Sequence, residues 1–96
     1  MTLREIKKKL ADHRQEITAL GVGHLALFGS VVRGEAGPES DVDVLVEFEG
    51  KATFDRYMDL KFLLEDLLGR KVDLVTTKAL RPELRPSIQR QVVYVA

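Results

Sequence analysis

A layered α/β domain is predicted by three features of this sequence. Helix-period and strand-like segments alternate along it, sharp capping signals bracket residues 53–69, and two valine-rich runs each carry an aspartate near their start. Thr2 with Glu5 three residues later forms a capping box. Leu3, Ile6, Leu10, Ile17 and Leu20 then recur near helical spacing, which predicts a first helix over residues 3–20 that stops at Gly21. The apolar run His24 to Phe28 reads as a buried strand entering a tight turn at Gly29-Ser30, with a brief helical turn through Arg33. Gly37-Pro38-Glu39-Ser40 is a loop by composition, and residues 41–48 form a β-branched second strand.

The clearest helix covers residues 54–68, with Thr53 as its N-cap, Asp55 in its first turn and Gly69 just past its end. Residues 71–76 make a third strand. Pro82 and Pro86 break any long helix after it, leaving an extended turn, a short helix over 86–91 and a terminal strand over 92–95. The length suits one domain spanning 1–96, without room for a separate substrate-binding domain.

Fifteen basic and fifteen acidic side chains cancel, so no global field draws in nucleic acid or an anionic membrane. The charge is unevenly spread: residues 1–34 carry +3, residues 35–66 carry −7 and residues 67–96 carry +4. No segment reaches the ~20 apolar residues of a membrane span, and the N-terminal segment is charged and amphipathic, so a cytoplasmic location is expected. With no cysteine, any metal must sit on oxygen or histidine ligands. His13 and His24 lack a carboxylate or second histidine at ligand spacing and are assigned to surface or core packing.

The acidic middle carries the candidate chemistry. Alternation along a strand would turn Asp41 and Asp43 to one face and Val42, Val44 and Val46 to the other. Two carboxylates about 4 Å apart repel by about 4 kcal/mol at an effective dielectric near 20, which a cation relieves. Mg²⁺ suits a few carboxylates plus water and phosphate oxygens, and paired Mg²⁺ ions serve in-line phosphoryl displacement. Gly29-Ser30, between a strand and a helical turn, offers backbone N–H groups, a close backbone approach and a hydroxyl to phosphate. Each pattern alone also describes something ordinary, a tight turn or two solvated aspartates; together they describe a triphosphate cradle beside a metal site. Arg33 can neutralise phosphate as a forked donor or pair with Glu35, Glu39 or an aspartate.

Gly29-Ser30, ten intervening residues and then Asp41-Val42-Asp43 resemble the signature of the DNA polymerase β-like nucleotidyltransferase superfamily. Arg33-Gly34-Glu35, Ser40 and the short chain bring it closest to the minimal nucleotidyltransferase antitoxins of prokaryotes. The resemblance implies a small mixed β-sheet with helices packed on one face. It also implies a third carboxylate on a neighbouring strand, for which Asp73 is the candidate, sharing metal with Asp41 and Asp43 or accepting the proton of the attacking hydroxyl; interrupting the apolar run 72–75 it would be buried and need a partner, and the alternative is a salt bridge to Arg70, Lys71 or another basic side chain. Gly29, Ser30, Arg33 and Ser40 are then the nucleotide-binding candidates. Val31 departs from the polar or basic residue often found there in relatives.

By the same resemblance, two Mg²⁺ ions and ATP are the cofactor and donor, and the acceptor is a hydroxyl, a tyrosine, of a HEPN-domain RNase toxin in a type VII-like toxin–antitoxin pair. The alternative is a non-catalytic nucleotide-binding antitoxin that neutralises its partner by complex formation. Helix 54–68 bears on that partner. Leu67, Leu60, Leu64, Tyr57, Leu68 and Phe54 make one apolar arc, while Met58, Phe62 and Leu63 fall outside it. Either the helix is buried on more than one face, or Met58 and Phe62 form a homo- or hetero-oligomer interface.

Overall fold

A computed structural model describes residues 2–35, 37, 40–79, 82, 83, 86, 93 and 94 of the chain. The Thr2 hydroxyl accepts the Glu5 N–H at 3.2 Å and starts α1 (Leu3–Asp12). The single helix expected over 3–20 is in fact two. At His13 the backbone leaves helical geometry (φ −114°, ψ 23°), and α2 (Arg14–Ala19) restarts beyond it. No apolar side chain lies between Ala11 and Ile17 to hold residues 12–16 against the core, and His13 Nδ1 instead sits 2.8 Å from the Lys9 carbonyl oxygen. The break still lets Ile6, Leu10 and Ile17 all bury fully.

β1 (Val22–Phe28) starts two residues before the expected strand and leads through Gly29 into the one-turn helix α3 (Ser30–Arg33). β2 (Val42–Phe48) runs antiparallel to β1, with Phe28 opposite Asp43 and Leu27 opposite Val44. α4 (Phe54–Leu68) has the expected limits; Thr53 Oγ accepts the Arg56 N–H at 3.2 Å and Gly69 closes the helix in the left-handed region at φ 64°. This crossover returns β3 (Val72–Thr76) parallel to β2, so that Asp43 lies beside Asp73. A 3₁₀ turn follows at Thr77–Ala79, and β4 (Val93–Tyr94) pairs antiparallel with β1. Beyond Pro86 the expected 86–91 helix lies outside the described residues, as do residues 92 and 95 of the terminal strand.

The sheet is mixed, in the order β3-β2-β1-β4. Strand alternation sends Leu25, Leu27, Val42, Val44, Val46, Val72 and Leu74 to one face, where they pack with Ile6, Leu10, Ile17, Leu60, Leu64 and Leu68 from the helices. The other face holds a small cluster, Ala26 and Leu45 with Phe28 and Val75, and the same alternation puts Asp43 and Asp73 there. Among the described residues no helix is long and apolar enough to cross a membrane.

Edge strands invite unwanted pairing, and β3 is an edge. Two side chains of α4 answer its main-chain groups: Glu65 Oε2 accepts the Val72 N–H at 3.0 Å, and the Tyr57 hydroxyl donates to the Leu74 carbonyl at 2.6 Å. The arc expected on α4 needs two corrections. Leu63 packs against the core, whereas Phe54 is 76% exposed. As the first helical residue Phe54 projects toward the helix N-terminus, past the stretch that Leu60, Leu64 and Leu68 bury.

Tyr57→Phe should lower stability by about 1 kcal/mol by leaving the Leu74 carbonyl short of its donor. Leu64→Ala, which empties a fully buried position, should cost about 2–5 kcal/mol. Urea denaturation midpoints should therefore fall in the order wild type, Tyr57→Phe, Leu64→Ala.

Candidate active site

Gly29 is where β1 meets the carboxylates. Its φ of 75° with ψ of −148° is open essentially to glycine alone. A Cβ built there would overlap the Asp43 carboxylate and lie 2.9 Å from Asp43 Cγ. Two independent requirements, backbone conformation and space, thus converge on the absence of a side chain.

Asp43 occupies the space so cleared. Burial is the main cause pushing its pKa above the usual carboxylate value, followed by the charges of Asp73 and then Asp41; Arg33 and a hydrogen bond from the Ser30 backbone N–H act in the opposite direction. The Ser30 amide, expected to face a phosphate, thus also acts on Asp43. The turn's other donors are the Ser30 hydroxyl and the Val31 N–H, the latter among the helix-start amides that have no carbonyl within the helix.

Asp41 and Asp73 lie differently from the simplest expectation. β2 begins at Val42, so Asp41 stands exposed just before it, and strand alternation does not orient it. The Val42 N–H donates to the Lys71 carbonyl at 2.9 Å, which ties this start to the lead-in of β3. Asp73 is exposed rather than buried, so water solvates it and no salt bridge is required; among the described residues it makes none with Arg70 or Lys71. Asp43 senses the charges of both Asp73 and Asp41, yet no set of three His, Asp or Glu side chains among the described residues is gathered into a ready cage for a metal. The donor set fits a divalent ion that takes its remaining ligands from water and phosphate, which is the habit of Mg²⁺.

The other two nucleotide-binding candidates hold the turns. Ser40 Oγ accepts the Gly37 N–H at 3.0 Å, the Ser40 N–H donates to the Gly37 carbonyl at 3.2 Å, and Arg70 donates to that same carbonyl, fastening the approach to Asp41. Arg33 Nε pairs with Glu35 at 3.0 Å, with both side chains largely exposed. Of its alternatives the pair with Glu35 is thus formed, and Arg33 still lends positive charge to Asp43. Sequence reasoning missed a cleft lined by Asp41, Lys61, Glu65, Gly69, Arg70 and Lys71. The basic excess after residue 66 hinted at it, but Lys61 reaches it only through the packing of α4 beside β3.

Two substitutions at one contact should shift stability in opposite directions. Because the Asp43 pKa is raised on folding, its contribution to stability is complete below the unfolded value near pH 4 and is lost as pH rises through the folded value. Asp43→Asn, measured with chelator present, should melt higher than wild type at pH 7 and lose that advantage toward pH 4. Gly29→Ala should melt lower at every pH, by about 1–3 kcal/mol or more, from backbone strain and overlap together. A lower melting temperature for Asp43→Asn at pH 7 would make Asp43 a structural cap.

The Nucleotidyltransferase domain family matches residues 3–95. The protein adenylyltransferase MntA of Thermococcus cleftensis is 43% identical over 96 residues, covering 99% of this chain and 97% of that one. A solved structure provisionally assigned as a minimal nucleotidyltransferase superposes with a TM-score of 0.85 at 36% identity, over 97% of this chain and 95% of the other. The fold is also that of a chain in the complex of a tri-AMPylated Shewanella oneidensis HEPN toxin with its MNT antitoxin, with a TM-score of 0.67 at 17% identity, over 94% of this chain and 71% of that one. With the Gly29–Asp43 contact in place and the whole fold matched, the chain belongs to the minimal nucleotidyltransferase family.

Proposed function

We propose that this enzyme transfers AMP from ATP to a tyrosine hydroxyl of a HEPN-domain toxin in the cytoplasm, acting as the antitoxin of a type VII-like pair. The observation that carries the reading is the placement of Asp43: seated on the Gly29 backbone and in register with Asp73 across a parallel strand pair. The identity to a protein adenylyltransferase along nearly the whole chain supports the reaction class, and the HEPN–MNT complex supports the partner.

In this reading the Ser30 hydroxyl and Val31 N–H hold phosphate oxygens, with Arg33 exchanging Glu35 for phosphate charge. Asp41, Asp43 and Asp73 would hold two Mg²⁺ ions, which supply neutralisation of the carboxylates and charge stabilisation of the α-phosphate and pyrophosphate oxygens. Asp73, exposed to solvent, takes the proton of the acceptor hydroxyl as the hydroxyl oxygen bonds to the α-phosphorus. The bond from the α-phosphorus to the bridging oxygen breaks and pyrophosphate leaves. Positioning and charge stabilisation do most of the work, as in other phosphoryl transfers.

Incubating the chain with its HEPN-domain toxin, MgCl₂ and ATP should raise the intact mass of the toxin by one or more AMP groups. Asp43→Asn should abolish the gain, and Asp73→Asn should slow it by about 100-fold or more. Neutralisation of the toxin by a tight complex whose mass never changes would show that binding alone is the function.

A further inference from the structure

The described residues include two large apolar side chains that are mainly exposed, Phe54 at 76% and Phe62 at 59%, and both lie on α4. Met58, partly exposed, sits between them, so the three recur every fourth residue as one stripe over more than two helical turns. Asp55, Asp59 and Asp66, all exposed, edge one side of it, and among the described residues none has an ion-pair partner. Arg56, next to Asp55 in sequence, turns away and donates to the Glu49 and Lys51 carbonyls at 3.4 and 3.1 Å. On the other side of the stripe Lys61 and Glu65 line the cleft that Asp41 also lines.

We infer that this stripe is the docking surface for the acceptor protein, which presents an apolar ridge edged with lysine or arginine. The inference rests on the reading above that the acceptor is a protein. Charge decides the occupant. A second copy packed antiparallel on the same stripe would set Asp55, Asp59 and Asp66 against themselves, whereas a basic-edged ridge would neutralise them. Geometry gives the docking a purpose, because Lys61 and Glu65, which flank Phe62 along α4, line the same cleft as Asp41. A partner seated along α4 is thereby held beside the carboxylates, and aromatic anchors are the residues that commonly dominate such contacts.

The test titrates the HEPN-domain toxin into the full chain, into Phe54→Ser/Phe62→Ser and into Asp55→Lys/Asp59→Lys. Both variants change exposed residues and should keep the wild-type circular dichroism and ATP affinity. The aromatic variant should bind the toxin about 30-fold or more weakly, and where AMP is transferred its KM for toxin should rise by a similar factor with kcat at saturation unchanged. The charge-reversal variant should bind more slowly and lose the salt dependence of association. Wild-type toxin affinity in both variants would overturn the inference, as would sedimentation showing that the chain alone self-associates through the stripe. A wild-type chain that binds toxin without transferring AMP overturns the adenylylation reading; weaker binding by the two variants would then still support the docking surface.

Discussion

The approach of the Asp43 carboxylate to bare backbone at Gly29 is the constraint on which the site depends. It joins the end of β1 to the start of β2 at a point where the antiparallel register sets Phe28 against Asp43, leaving no room for a Cβ between them. The same approach half-buries a carboxylate beside two others, a costly arrangement that the Ser30 N–H and the charge of Arg33 only partly offset. A cation and a phosphate chain would complete that compensation together, which makes metal and nucleotide natural co-ligands.

α4 connects this constraint to the rest of the molecule. As the crossover between β2 and β3 it makes the pair parallel, and the parallel register sets Asp73 beside Asp43. Its Leu60, Leu64 and Leu68 fill the core; Tyr57 and Glu65 occupy main-chain groups of edge strand β3; Phe54, Met58 and Phe62 remain toward solvent. One 15-residue helix thus has three sides with three different neighbours, and its weak amphipathicity follows from that division.

What could be read from the sequence was what local chemistry decides. The ends of α4 follow from Thr53 and Gly69, and the Gly29-Ser30 turn and the Asp43 strand follow from patterns spanning a few residues. The break at His13 escaped notice because the spacing from Leu10 to Ile17 equals two helical turns, so a continuous helix and two offset ones show the same apolar pattern. Phe54 was placed in the arc because a helical projection contains no information about where the sheet ends. The sequence predicts a partner for Asp73, since its neighbours Val72 and Leu74 are core residues; the deciding fact is that Asp73 itself is exposed on the opposite face of β3. Glu65 and Arg70 gave no local signal at all, because their partners, Val72 N–H and the Gly37 carbonyl, become neighbours only on folding.

Acidic and core residues are segregated by the strand period of two. Along β2, Val42, Val44 and Val46 bury against the helices while Asp43 faces the opposite side, and β3 repeats the division with Val72 and Leu74 against Asp73. The core therefore closes without contribution from either aspartate, so like-charge repulsion on one face can persist without a cavity or an unpaired buried group on the other. Among the described residues no buried side-chain nitrogen or oxygen lacks a partner, so the unfavourable electrostatics are confined to the site itself. Such confinement explains how a domain with a core this small can maintain three carboxylates within electrostatic reach of one another: Asp41 and Asp73 are exposed to solvent, where screening is strong, and only Asp43 is partly buried.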